Sequence, residues 1–158
     1  MQNKNDLLAQ WLNTQHSIRV EFQMKHRLLE VDEILRKMQH LLKDEAFSDS
    51  IYVLRIRSKD EWVPVYIGRS SSPVSRWKSH LAGLLKGTGL YGRWRTLLLN
   101  NDNCALQDIE LLIFLDSYIV QPPIPAFPST IGSVEYQLVS LASDTYPDTL
   151  LNHEGNRR

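Results

Sequence analysis

The sequence predicts an α+β fold: a small three-stranded sheet, antiparallel or mixed, flanked by helices and preceded by a long N-terminal helix. Three observations predict it. Residues 6 to about 45 contain neither Gly nor Pro and carry apolar residues at helical spacing. Residues 50–57, "SIYVLRIR", and 63–68, "VPVYIG", are two short β-rich runs separated by a turn. Residues 109–120, "IELLIFLDSYIV", form the most apolar run of the chain, as a buried central strand would.

The elements follow in order. In the first, Asp6 is the expected N-cap. Met24, Leu28, Val31, Leu35, Met38 and Leu42 recur at spacings of 4, 3, 4, 3 and 4, an a/d stripe over about three heptads. Such a stripe packs on the chain's own domain or pairs with its copy in a homodimer. "FSDS" ends the helix. In the first strand Tyr52, Leu54 and Ile56 face one side and Ile51, Val53 and Arg55 the other. "SKDEW" is a turn, so the two strands form an antiparallel hairpin, with Pro64 near a strand start or on an edge where its missing N–H is tolerated. Ser72 followed by Pro73 starts a helix that runs to about Lys86, where "KGTG" stops it. A short helix spans 90–100, and "QPPIPAFPSTIG" is an extended loop. Residues 133–144 are a helix capped by Ser133 or Gly132, with Glu135 in the first turn, and the tail to 158 is irregular.

Bulk properties restrict the function classes. The chain has 158 residues, 42% hydrophobic and 23% charged, as in an ordinary globular domain. No apolar run reaches the about 20 residues that span a bilayer, so no membrane partner is expected. The first residues lack an apolar signal core, and Cys104 is the single cysteine, so neither a disulfide nor a cysteine zinc site is available within the chain. A reducing, cytoplasmic location is the expectation. Net charge is zero, but the local balances are −1 over residues 1–49, +7 over 50–95 and −6 over 96–158. The basic middle third is either a phosphate-binding surface or a solvated face balanced by the acidic third.

No P-loop, His-x-x-x-His, Gly-x-Ser-x-Gly or Rossmann pattern occurs. His16, His26, His40 and His153 are scattered; His80 is placed differently. It lies four residues after Arg76, on one face of the Ser-Pro-started helix. Arg69 ends the preceding strand. Strand end, helix N-terminus and arginines therefore meet, and helix N-termini suit anions.

"SIYVLRI", "VYIG", an arginine eight residues past the glycine, then a histidine, a Glu-bearing helix and a late asparagine together resemble the GIY-YIG nuclease family, over residues 50–152. The resemblance implies an N-terminal helical extension at 1–49 and a nuclease domain at 50–158. It implies a metal-dependent endonuclease that hydrolyses DNA phosphodiesters with Mg2+ or Mn2+. Tyr52 and Tyr66 match the two motif tyrosines, Gly68 the motif glycine, Arg76 the catalytic arginine and His80 the histidine one turn later. Glu135 matches the metal-binding carboxylate and Asn152 the late asparagine. Ser50 replaces the first motif glycine, and Arg69 stands where many members have lysine or a small residue. By resemblance Tyr52 is the general base, with Tyr66 or His80 orienting the water or shuttling the proton; Arg69, Arg76 and the metal would lower the tyrosine pKa. Arg69, Arg76, Lys78, Arg93 and Arg95 are the expected DNA contacts. The other reading is a non-catalytic nucleic-acid-binding module with a degenerate site of the same kind.

Overall fold

The computed structural model describes residues 3–45 and 47–152. The fold is α+β, and its sheet has four antiparallel strands instead of three. The elements are α1 (Lys4–Thr14), β1 (Ile18–Gln23), α2 (Val31–Leu42), β2 (Ser50–Ser58), β3 (Glu61–Ser70), α3 (Pro73–Lys86), α4 (Tyr91–Leu98), β4 (Ile109–Leu115) and α5 (Ile131–Thr145), with short 3-10 turns at Lys43–Glu45 and Asp116–Tyr118. The strand order is β1-β4-β2-β3.

The single long N-terminal helix is corrected to helix, strand, helix. Residues 18–23 read Ile-Arg-Val-Glu-Phe-Gln, and their period of two places Val20 and Phe22 inside with Arg19 and Glu21 outside. β1 pairs with β4, which a helix there could not do. His26 then takes a positive φ of 67° in the turn before α2. The six-residue stripe survives only as Val31, Leu35, Met38 and Leu42, packed on this chain's own sheet, while Met24 and Leu28 are exposed. The part of the stripe that α2 carries is thus used within this chain. Asn3, not Asp6, caps α1: its side chain accepts from the Asp6 N–H at 2.9 Å.

Both faces of the sheet are covered. On one, Val20, Phe22, Tyr52, Leu54, Ile56, Leu111 and Ile113 pack against α2, α3 and α4. On the other, Ile51, Val53, Ile67, Leu112 and Phe114 pack against α1 and α5 through Leu8, Trp11, Val134 and Leu138. Two-sided burial explains why β4 reads as one apolar run. The first 49 residues are thus not an appendage to a domain that starts at residue 50, because β1 and α2 build one face and α1 builds the other. Across β2 and β4 the buried Arg55 donates to Glu110 at 2.6 and 2.8 Å, and Arg19 approaches the same carboxylate.

The hairpin forms as expected. Lys59 and Asp60 both take positive φ, the two-residue turn that matches strand twist. The pairing shifts so that Leu54 opposes Tyr66 while Arg55 opposes Pro64. Val65 is the extra residue of this bulge, and both Val65 and Tyr66 then pack against the α2–α4 side. Pro64 lies in an edge strand, where its missing N–H interrupts no ladder. Asn152 and Leu151 run along that edge. Residues 153–158, including His153 and the end of the irregular tail, lie outside the described residues. Among the described residues no helix is long and apolar enough to cross a membrane.

Candidate active site

The site lies where β2 begins, β3 ends and the N-terminal turns of α3 and α5 converge. Tyr52 pairs across the ladder with Gly68, so Tyr52 and Tyr66 are diagonal neighbours on one face. Their rings are stacked with centroids 6.1 Å apart. A Cβ on Gly68 would stand 2.6 Å from Tyr52 Cε1 and 2.8 Å from its hydroxyl. The glycine is therefore required by the phenol that lies over it.

α3 supplies the third wall. Pro73 fills its first position, but the Ser72 side chain makes no capping bond, contrary to expectation. Ser70 Oγ accepts from the Ser72 N–H instead, at 2.9 Å. Trp77, His80, Leu81 and Leu84 recur at helical spacing and face inward. Arg76 is exposed at the rim of this face. Its charge reaches Tyr52, Tyr66, His80 and Tyr91. α5 begins at Ile131 with Thr130 at its cap, so the expected Ser133 or Gly132 cap is corrected and Glu135 falls in the second turn. Glu135 is half-buried, 3.4 Å from Arg69 Nε, and its charge acts on both tyrosines. Arg69 lies over Gly132, where a Cβ would stand 2.9 Å from Nη1. Beside it Asp49, Ser50, Arg69, Ser70, Ser71 and Ile131 line a recess of about 170 Å³.

Five of the six residues matched to catalytic positions, Tyr52, Tyr66, Arg76, His80 and Glu135, thus converge from four elements. Asn152 does not present its amide to the site. It is buried, accepts from the Ile67 N–H at 3.0 Å and donates to the Ile67 carbonyl at 2.7 Å, holding the strand between Tyr66 and Gly68. Of the expected DNA contacts, Arg69, Arg76 and Lys78 are exposed or at the rim. Arg95 is not available: it donates to the carbonyls of Leu85, Asn100 and Asn101. Arg93 is exposed but gives one N–H to the Leu150 carbonyl.

The electrostatics depart from expectation. Burial pushes the Tyr52 phenol well above its ordinary range, and the neighbouring Tyr66 adds to this; Arg76 pulls downward but is outweighed. Tyr66 is raised for the same first reason. Tyr52 and Tyr66 are therefore phenols, not phenolates. Burial, reinforced by Arg76, lowers His80 to about 4, so its imidazole is neutral near pH 7. Burial also raises the Glu135 carboxyl despite Arg69. A half-buried carboxylate with one long ion pair is under-compensated and suits a hard cation. Among the described residues no group of three or more His, Cys, Asp or Glu could hold a metal, so a cation at Glu135 would take most of its ligands from outside the chain's side chains.

An aromatic cage around His80 was not apparent from sequence. Trp94 stacks on the imidazole at 5.1 Å, Trp77 and Tyr66 meet it edge-on at 4.9 and 5.3 Å, and the Tyr91 hydroxyl lies 2.8 Å from Nδ1. The signal was the spacing Tyr91, Trp94, Leu98, an inward face on α4 opposite Trp77 and Leu81. Comparison with family models, with curated proteins and with solved structures finds no match.

Proposed function

We propose that this cleft hydrolyses DNA phosphodiester bonds as a metal-dependent endonuclease of the GIY-YIG kind. One observation carries the proposal: Tyr52, Tyr66, Arg76, His80 and Glu135, distant in sequence, gather at one end of the sheet, with Gly68 leaving room for Tyr52. Arg76 is a solvent-reachable guanidinium at the rim and binds a phosphate through paired N–H donors. The first-turn N–H groups of α3, uncapped by Ser72, face the same anion. Glu135 would hold Mg2+ or Mn2+, which would supply positive charge to the phosphate oxygens and acidify water. Tyr66, only partly buried, orients the attacking water. Tyr52 starts as a neutral phenol; it would act as base only after giving its proton to solvent water, a loss that the positive charge of a bound cation would favour.

Supercoiled plasmid incubated with the protein and Mg2+ or Mn2+ is expected to be nicked or linearised. Arg76→Ala and Glu135→Ala should each reduce cleavage by at least about 10²-fold, the scale on which one transition-state charge contact acts, with unchanged circular dichroism. Cleavage that survives both substitutions would sink the proposal. The raised tyrosine pKa values favour a second reading, a module that binds nucleic acid without cutting it. It predicts salt-dependent DNA retention with intact plasmid under every divalent cation.

A further inference from the structure

Tyr91 was not singled out by its sequence context, yet it is built into the site. Gly83 on α3 makes the space: a Cβ there would stand 2.3 Å from Tyr91 Cε2. The ring fills this notch and brings its hydroxyl to His80 Nδ1. The imidazole itself is held between Trp94, Trp77 and Tyr66. Its Nε2 is buried and has no hydrogen-bond partner among the described residues. The two ring nitrogens are therefore unequal, one met by a phenol and the other buried without a partner.

The direction of the bond follows from acidity. A phenol O–H is a better donor than a neutral imidazole N–H, and the bare imidazole nitrogen is a better acceptor than a phenol oxygen. Tyr91 therefore donates to Nδ1, and the imidazole proton resides on Nε2.

We propose that Tyr91 is a positioning residue that fixes His80 as its neutral Nε2–H tautomer, so that His80 serves the cleft as a hydrogen-bond donor through Nε2 and not as a general base. The inference rests on the nuclease proposal and deepens it. It narrows the proton acceptor to the tyrosines and the water, and gives His80 the role of steadying a phenol or phosphate oxygen. The dependence has a known physical form: a second residue on one imidazole nitrogen decides what the other nitrogen presents.

The test uses the full chain labelled with 15N. Long-range proton–nitrogen correlation at pH 7 reads which imidazole nitrogen is protonated. In the wild type, His80 should carry its proton on Nε2 alone. In Tyr91→Phe the two tautomers should mix, and kcat for plasmid cleavage should fall about tenfold or more with KM little changed. A wild-type His80 protonated on Nδ1 overturns the inference, as does a Tyr91→Phe variant whose His80 tautomer is unchanged. Should Tyr91→Phe fail to fold, the wild-type spectrum alone decides. A wild type that shows the expected tautomer but never cuts DNA defeats the nuclease proposal and leaves the Tyr91–His80 arrangement standing. A wild type that cuts but carries the other tautomer defeats only this inference.

Discussion

His80 is 7% exposed and enclosed by rings, so its protonation is tied to folding. The groups facing it are Tyr52, Tyr66, Trp77, Tyr91, Trp94 and the cation of Arg76, and none of them carries a negative charge to offset the loss of hydration. Its folded-state pKa lies near 4, against an ordinary value of 6.5. Between those values the unfolded chain binds a proton that the folded chain does not. Stability should therefore fall as pH drops from about 6.5 towards 4, by on the order of 3 kcal/mol from this group. Glu135 acts in the opposite direction, because its folded pKa is raised and the folded form takes its proton more readily. Urea midpoints from pH 7 to 4 measure the sum, and His80→Gln isolates the histidine. The variant should show a shallower loss on acidification; equal slopes would reject the assignment. Of the site's individual residues, the tyrosines, Gly68, Arg76, His80 and Glu135 were legible because their order and spacing carry them. Asn152 was legible as a residue but not in its role, since sequence does not reveal that its amide has both partners on one backbone unit. Arg95 was misjudged for a related reason: charge counting cannot tell a free guanidinium from one that binds three carbonyls of its own chain.

At the scale of elements, β3 is one of the two edge strands and also the one that carries Tyr66, Gly68 and Arg69. Its outer side would leave backbone groups unpaired. Asn152 meets the N–H and the carbonyl of Ile67, and the Leu151 N–H reaches the Val65 carbonyl. Asn152→Ala leaves two buried backbone groups of Ile67 without partners and should cost about 1–3 kcal/mol. Asn152→Asp keeps the acceptor and loses the donor, so it should fall between. Denaturant titration reads both, and a cost below about 0.5 kcal/mol for Asn152→Ala would remove the edge clamp from this account. The hairpin, α3 and the start of β4 were readable because their signals are local: a turn between alternating runs, Ser-Pro before a periodic stretch, a dense apolar run. β1 was hidden because no Gly or Pro separates it from its neighbours, and Met24 and Leu28 extended the spacing of the α2 stripe by coincidence. The strict alternation over Ile18–Gln23 was the contrary signal, and pairing with β4 decides in its favour.

For the whole molecule, two cores back one sheet and the N-terminal residues contribute to both. Leu8, Trp11 and Leu12 complete one, while Val20, Phe22, Ile34, Met38 and Leu42 complete the other. Burying one such side chain is worth about 1.5–3 kcal/mol, whereas a domain's total stability is about 5–15 kcal/mol. A fragment of residues 50–158 should accordingly fail to fold, giving collapsed amide dispersion and no cooperative melting. A cooperative transition in that fragment would restore a boundary at residue 49.

The ion pair between Arg55 and Glu110 has a consequence for how the sheet finds its alignment. A slide of β4 along β2 by two residues keeps every side chain on its own face, and a run such as Ile-Tyr-Val-Leu against Leu-Leu-Ile-Phe is nearly indifferent to it. Arg55 opposite Glu110 distinguishes the correct alignment, because a slide of β4 along β2 takes the buried guanidinium away from its carboxylate, leaving Glu110 only the longer approach of Arg19. This pair therefore acts as a registration pin for two central strands, and through them it fixes where Tyr52 stops relative to the neighbouring helices.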